Sequence, residues 1–265
     1  MSDETKAKYI RAKKHLGQHF LADESIAFDI VKALEEKDPT TQVTEIGPGM
    51  GVLTKYLSPI YQDKLTVFEI DTESVEYLIK QEIVNSSQIF AEDFLKADLT
   101  LKFQGNFNII GNLPYNISSP IFFRILEERE RIPLCVCMIQ KEVAVRIASP
   151  PGSKQYGILS VLLQAFYHIE YLFTVPPNVF VPPPKVDSGV IRLMKYRDTI
   201  ACREKLFFQV VKAGFNNRRK TLRNSLKKLN IPLESIGDDV LSKRPEQLGV
   251  EEFIALCQKL EQSAT

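Results

Sequence analysis

EIGPGMG, residues 45–51, is the stretch that decides the fold. It ends an apolar run, VTEIG (43–47), and leads into Val52, Leu53, Tyr56 and Leu57, which fall at helical spacing. A strand that turns through three glycines into a helix brings backbone close to a ligand, because glycine alone turns this tightly at no steric cost. The spacing is G-x-G-x-G with Glu45 two residues ahead, which is not the G-x-G-x-x-G of dinucleotide-binding proteins.

Outward from this turn, short apolar runs alternate with amphipathic ones. LTVFEI (65–70), SQIFAED (87–93), FNIIGN (107–112) and CVCMIQ (135–140) read as strands, and Val75, Leu78 and Ile79 lie at helical spacing. Alternation of this kind predicts an α/β domain with a mostly parallel, Rossmann-like sheet and helices on both faces. Ligands collect at the carboxyl ends of such strands. Residues 176–184 then carry five prolines between two β-like runs, predicting a stiff loop joining an antiparallel edge pair. From about residue 200 the pattern is helical, with breakers at Pro232, Gly237, Pro245 and Gly249, predicting a small all-α C-terminal domain. The expected boundaries are a basic arm over 1–14, the sheet domain over 15–198 and the helical domain over 199–265.

Polar residues gather at the expected strand ends. Glu69 stands about 20 residues past the glycine turn, where a carboxylate can accept both hydroxyls of a ribose. Glu92-Asp93-Phe94 ends the third strand, where Asp93 can accept from the exocyclic amine of an adenine. No basic residue stands near the turn, which disfavours a polyphosphate. An adenosine ligand without phosphates matches better, and S-adenosylmethionine is the evident one.

The fourth strand ends in Asn112-Leu113-Pro114-Tyr115. The exocyclic amine of adenine is a poor nucleophile because its lone pair is delocalised into the ring. Two acceptors, the Asn112 side-chain oxygen and the Leu113 carbonyl, can hold its two hydrogens and localise that pair. Pro114 stiffens the backbone so both acceptors are preorganised, and Tyr115 can stack on the base. Asn and Pro also suit an ordinary turn; the ordered set of four strand-end features is what points beyond one.

The net charge of +1 averages unlike segments. Residues 1–14 carry Lys6, Lys8, Arg11, Lys13 and Lys14 against Asp3 and Glu4, and 212–228 carry seven basic residues and no acid. In the latter, Leu222, Leu226 and Leu229 predict an apolar helix stripe, with Arg219, Arg223 and Lys227 repeating along another face to meet RNA phosphates. The four cysteines form no framework: Cys135 and Cys137 alternate within CVCMI as small hydrophobes. No Cys/His cluster has metal-ligand spacing, so no metal is expected. No run approaches the ~20 apolar residues of a membrane span, and the start of the chain lacks a signal-peptide core. A cytoplasmic, reduced protein without membrane association is expected.

Read together, KKHLGQHFL (13–21), EIGPGMGVLT (45–54), EIDTE (69–73), EDFL (92–95), GNLPYNISSPI (111–121), QKEVAVRI (140–147), VFVPPPKVDSGVI (179–191) and FNNRRKTLRNSL (215–226) resemble the KsgA family of small-subunit ribosomal RNA adenine dimethyltransferases. The resemblance spans roughly 11 to 260. It implies S-adenosylmethionine as methyl donor, S-adenosylhomocysteine as product, and dimethylation of N6 on two adjacent adenines in the 3′-terminal hairpin loop of 16S rRNA. That rRNA within the small subunit is the implied partner, and a monomer is expected. Carried over by position, His19, Leu21, Gly47, Gly49, Glu69, Asp93 and Asn112 would contact cofactor. Asn112, Leu113, Pro114, Tyr115 and Phe180 would hold the target base, Tyr115 and Phe180 sandwiching it. Arg218, Arg219, Lys220, Arg223 and Lys227 would bind RNA. Some relatives carry an amide at the position of His19. Rival readings are a large-subunit adenine N6-methyltransferase of the macrolide-resistance type, which shares the glycine turn and an N-[IL]-P-[YF] site, and an assembly-binding factor in which catalysis is secondary.

Overall fold

The computed structural model describes residues 11–34 and 41–263; the first ten residues of the expected basic arm lie outside them. Its contacts divide the chain into two units, one of 1–141 with 172–192 and the other of 142–171 with 193–265.

In the first unit the elements run β1 (Phe20–Leu21), α1 (Glu24–Leu34), β2 (Gln42–Ile46), α2 (Thr54–Tyr61), β3 (Leu65–Phe68), α3 (Thr72–Lys80), β4 (Ile89–Phe90), α4 (Leu99–Lys102), β5 (Phe107–Asn112), α5 (Ser118–Glu127) and β6 (Leu134–Gln140). Strands β2 to β6 are the five runs anticipated from apolar patterning, though β4 is only two residues long. They are parallel where they pair: β2 with β3 and β5, β3 with β4, β5 with β6. Burial explains their composition: Val43, Val67, Ile109, Ile110, Val136 and Ile139 are fully covered, each worth roughly 1.5–3 kcal/mol against exposure.

The later elements are α6 (Lys141–Ala148), α7 (Ile158–Gln164), β7 (Tyr167–Val175), β8 (Phe180–Val181), β9 (Ser188–Lys195), α8 (Glu204–Asn216), α9 (Leu222–Leu226), α10 (Asp238–Leu241) and α11 (Val250–Gln262). The mixed seven-stranded sheet has the order β4-β3-β2-β5-β6-β9-β7, so β7 and β9 are neighbours at one edge, on either side of the proline-rich segment. The chain winds outward from β2 to β4, then returns to β5 on the other side of β2. Right-handed crossovers put the helices of two such halves on opposite faces. The reversal between β2 and β5 is the switch point where a ligand crevice opens.

A second sheet, not anticipated, joins β1 to β8 antiparallel, with Phe20 opposite Val181 and Leu21 opposite Phe180. Two residues per strand are too few to show periodicity.

In the second unit, α8 buries Phe207, Val210, Val211, Gly214 and Phe215, and α11 buries Phe253, Ile254, Leu256, Cys257 and Leu260. Both follow helical spacing, and Phe215 meets Phe253 at 6.2 Å and Tyr156 at 6.0 Å between ring centroids. The expected helical segment 199–265 lies wholly within this unit, which also takes in α6 and α7 because α7 packs on α8 and α11.

Candidate active site

The chain leaves β2 through Gly47, Gly49 and Gly51 at φ of 69°, 55° and 77°. At Gly49 the turn has no room for a side chain, since a Cβ would come within 2.8 Å of Phe20 Cε1. The Gly49 N–H donates to Glu69 Oε2 at 3.0 Å, and the Asp71 N–H donates to Glu69 Oε1 at 2.9 Å. The Glu69 carboxylate is thus fixed at the end of β3. Burial pushes its carboxyl up, and the bonds from Asp71 and Gly49 oppose this.

Two neighbours were not singled out as site residues. Glu45, 1% exposed on β2, accepts from Thr54 Oγ1 at 2.6 Å. Asp71 caps α3 and receives Lys13 Nζ at 2.5 Å and Gln18 Nε2 at 3.0 Å, while Lys13 also reaches Glu73 at 3.1 Å. Burial pushes the Asp71 carboxyl up, but the Gln18 and Lys13 bonds outweigh it and hold it below the ordinary value. This latch ties the segment around residues 13–18 to the end of β3. An Asp one residue before Thr72-Glu73 is readable as a helix cap; its partners, more than 50 residues away in sequence, left no local sign.

Asn112 ends β5, where its Nδ2 donates to the His19 carbonyl oxygen at 2.9 Å. Leu113 is buried and its N–H donates to the Met138 carbonyl at 3.0 Å. Tyr115 shares a 2.6 Å hydrogen bond between its hydroxyl and Ser188 Oγ, and the His19 ring stacks on it, centroids 5.5 Å apart and planes 29° off parallel. His19 Nδ1 lies 2.8 Å from the Pro182 carbonyl oxygen. His19 therefore makes contacts through both its backbone and its ring. Asp93 turns the chain beyond β4, its Oδ1 accepting from the Leu95 N–H at 2.9 Å.

These groups surround one cavity of about 300 Å³. His19, Leu21, Gly47, Gly49, Glu69, Asp93, Asn112, Leu113, Pro114 and Tyr115 all line it. Phe180 is not among its walls: its ring is 2% exposed, packed where β8 pairs with β1. Among the described residues the walls include four acids, Glu45, Glu69, Glu92 and Asp93, and neither Lys nor Arg. That set of acceptors suits a cationic adenosine compound and opposes a polyphosphate.

The basic segment differs from the predicted continuous helix. Helix α8 stops at Asn216 and α9 begins at Leu222, so Arg219 does not share a helix face with Arg223 and Lys227. The break follows from a turn closed by Lys220 N–H to the Asn217 carbonyl (2.7 Å) and from the Leu222 N–H donating to the Lys243 carbonyl (2.8 Å). Leu222 and Leu226 are buried as expected, whereas Leu229 is half-buried in a 3-10 turn. Arg218 bonds the Lys154 carbonyl and Arg223 pairs with Asp238; Arg219, Lys220 and Lys227 are exposed.

Comparison with known proteins agrees with this geometry. The family model described as "Ribosomal RNA adenine dimethylase" matches residues 10–235. A protein named "Ribosomal RNA small subunit methyltransferase A" from Flavobacterium johnsoniae is 57% identical over 256 residues, covering 95% of this chain and 97% of its own. Its namesake in Cytophaga hutchinsonii is 56% identical over 252 residues, covering 95% and 98%. Among solved structures, a dimethyladenosine transferase from Plasmodium falciparum aligns with a TM-score of 0.80 at 25% identity, covering 93% of this chain and 98% of that one. The 23S rRNA methyltransferase ErmE aligns at 0.64 and 26% identity, covering 92% and 100%.

Proposed function

The chain belongs to the ribosomal RNA adenine dimethylase family, and from that premise we propose that it is an S-adenosylmethionine-dependent enzyme that dimethylates N6 of two adjacent adenines in the 3′-terminal hairpin loop of small-subunit rRNA. The observation that carries the reading is Asn112. Its amide nitrogen is committed to the His19 carbonyl, so its oxygen is the end left to accept, in the wall of a cavity that also holds Glu45, Glu69, Glu92 and Asp93.

S-adenosylmethionine, when bound, supplies an electrophilic methyl group on a sulfonium. Glu69 would accept from the ribose hydroxyls, its geometry already set by two backbone N–H groups. Asp93 would accept from the cofactor's adenine amine. Gly47 and Gly49 would let the backbone approach, and Leu21 and His19 would form the opposite wall. Asn112 Oδ1 and the Leu113 carbonyl would hold the two hydrogens of the target amine, directing its lone pair at the methyl carbon. Preorganised acceptors need no reorientation at the moment of reaction, which is where such sites gain most. The departing proton passes to solvent, so no strong base is required.

Tyr115 would stack on the target base, its hydroxyl steadied by Ser188. We assign the other side of the sandwich to Phe180, which would have to turn out of its covered position as the base enters. Exposed Arg219, Lys220 and Lys227 would meet RNA phosphates, with Arg218 and Arg223 released from protein partners to join them. Residues 199–265 would serve as the rRNA-binding domain, and 1–14 as a basic arm that also meets rRNA. The enzyme is proposed to act as a cytoplasmic monomer, without a metal; no helix of the described residues is long and apolar enough to cross a membrane.

The test offers purified protein labelled S-adenosylmethionine with undermethylated small-subunit particles or protein-free 23S rRNA, and locates the products by mass spectrometry. Paired dimethyladenosines near the 16S 3′ end are expected. Dimethyladenosine in 23S rRNA instead would assign the large-subunit activity, and particle binding without transfer would leave an assembly factor.

A further inference from the structure

Glu45 has no part in the account above, yet it is the most deeply covered acid of the cavity, 1% exposed. It stands on β2 opposite Ile110 of β5, two residues before Asn112, and Gly47 follows two residues after it, just past the end of β2. Register partners and alternate residues share a face of a parallel sheet, so Glu45 lies on the sheet face of Asn112, and both line the one cavity. Thr54 of α2 donates to one carboxylate oxygen at 2.6 Å. From β3 its register partner is apolar Val67, and the titratable group facing it is Glu69, itself 5% exposed. Among the described residues, no cation is among the groups that shift it.

We propose, on the strength of the cofactor reading above, that Glu45 lets the site tell the cationic methyl donor from its product: Glu45 is a neutral acid in the empty site, ionises when a sulfonium stands over it, and is reprotonated once the methyl has left and the sulfur is neutral. The O–H bond of Glu45 is the one that breaks and re-forms, and its proton exchanges with solvent.

A carboxylate buried without a nearby cation, with a second buried carboxylate in the same cavity wall, does not ionise readily. Burial pushes the Glu45 carboxyl up to about 8, with the Thr54 bond opposing and Glu69 adding to the rise. A sulfonium favours ionised Glu45 and a thioether does not. Glu45 therefore strengthens binding of the donor and loosens its hold once transfer is complete. By linkage, donor affinity rises with pH up to about 8, where Glu45 of the empty site ionises unaided, and is flat with respect to Glu45 above that.

Titration calorimetry of the full chain with S-adenosylmethionine and with S-adenosylhomocysteine, in buffers of different ionisation enthalpy, counts the protons released. Wild type is expected to release more protons with the donor than with the product near pH 7, and donor affinity to rise by up to about tenfold per pH unit below the plateau. The ligands' own amino groups also titrate, so the Glu45 share is wild type minus Glu45→Gln, and that variant should bind the two ligands with a pH-independent ratio as far as Glu45 contributes. Thr54→Val, which strips the bond that opposes the rise, should move the window to higher pH and serves if Glu45→Gln does not fold. Equal proton release for both ligands, or a variant indistinguishable from wild type, would overturn the inference while leaving the cofactor assignment intact. Failure of either ligand to bind would overturn both.

Discussion

The Asn112 side chain donates its amide nitrogen to the His19 carbonyl oxygen across 93 residues of sequence. That single bond makes the carboxamide oxygen an acceptor and joins the strand end to the segment that walls the cavity. Asn112→Ala should therefore lower transfer by about a hundredfold or more, the scale seen when one preorganised polar group is lost from a reacting centre. Particle binding should be unchanged, because its charge partners lie elsewhere. Single-turnover methylation beside a particle-binding assay separates the two, and full activity in this variant would end the proposed role.

Asp71 holds Gln18, a residue of the cavity wall. Replacing Asp71 with Ala removes a helix cap, worth about 1 kcal/mol, and frees Lys13 and Gln18 together, so cofactor affinity should fall along with thermal stability. The sign of the pH effect follows from a folded-state value held below the ordinary 3.8. Stability from the ionised carboxylate is present above 3.8 and lost as pH falls through the lower folded-state value. The melting-temperature gap between wild type and Asp71→Asn should accordingly be full near neutrality and close in strong acid. A gap that persisted there would assign the loss to packing.

Much of this was readable in the chain. Strand β6 is apolar from Leu134 to Ile139, and β2, β3 and β5 mix apolar with buried polar residues, because both of their faces are covered; the glycines of 45–51 announce positive φ. What could not be read is what joins distant segments. Lys13 and Gln18 reach Asp71, His19 reaches Asn112 and Pro182, and Tyr115 reaches Ser188; none leaves a periodic sign. The basic stretch misled because leucines at 222, 226 and 229 keep helical spacing although the chain turns before Leu222, where a backbone bond to Lys243 overrides local preference. Phe180 follows the same rule: prolines lie two to four residues away on either side, but its surroundings are set by pairing with Leu21.

Gly111 tests how closely the switch-point strands must approach. A Cβ there would lie 2.6 Å from the Ile46 carbonyl oxygen, a backbone atom that cannot swing aside. Gly111→Ala should cost about 1–3 kcal/mol by overpacking, and the strain falls between β2 and β5, directly under Gly47 and Asn112. Denaturant unfolding should show the loss as a lower midpoint with unchanged slope. Gly105→Ala, where a Cβ would meet nothing within 4 Å, is the control and should be near neutral.

The exposed cations make the last prediction quantitative. Arg219, Lys220 and Lys227 are exposed, whereas Arg223 is paired with Asp238 and must give up that partner to reach a phosphate. Each direct phosphate contact contributes about 0.7–0.9 to the slope of log affinity against log salt. Arg219→Ala and Lys220→Ala should each weaken particle binding and flatten that slope by roughly one contact, with cofactor binding untouched. Arg223→Ala should weaken binding less, because the pair with Asp238 already offsets its charge, and Asp238→Asn should strengthen binding by freeing Arg223. Filter binding over a salt series reads all four. Equal slopes in wild type and Arg219→Ala would remove that residue from the RNA interface, and an Asp238→Asn variant that binds no better would show that Arg223 stays where it is.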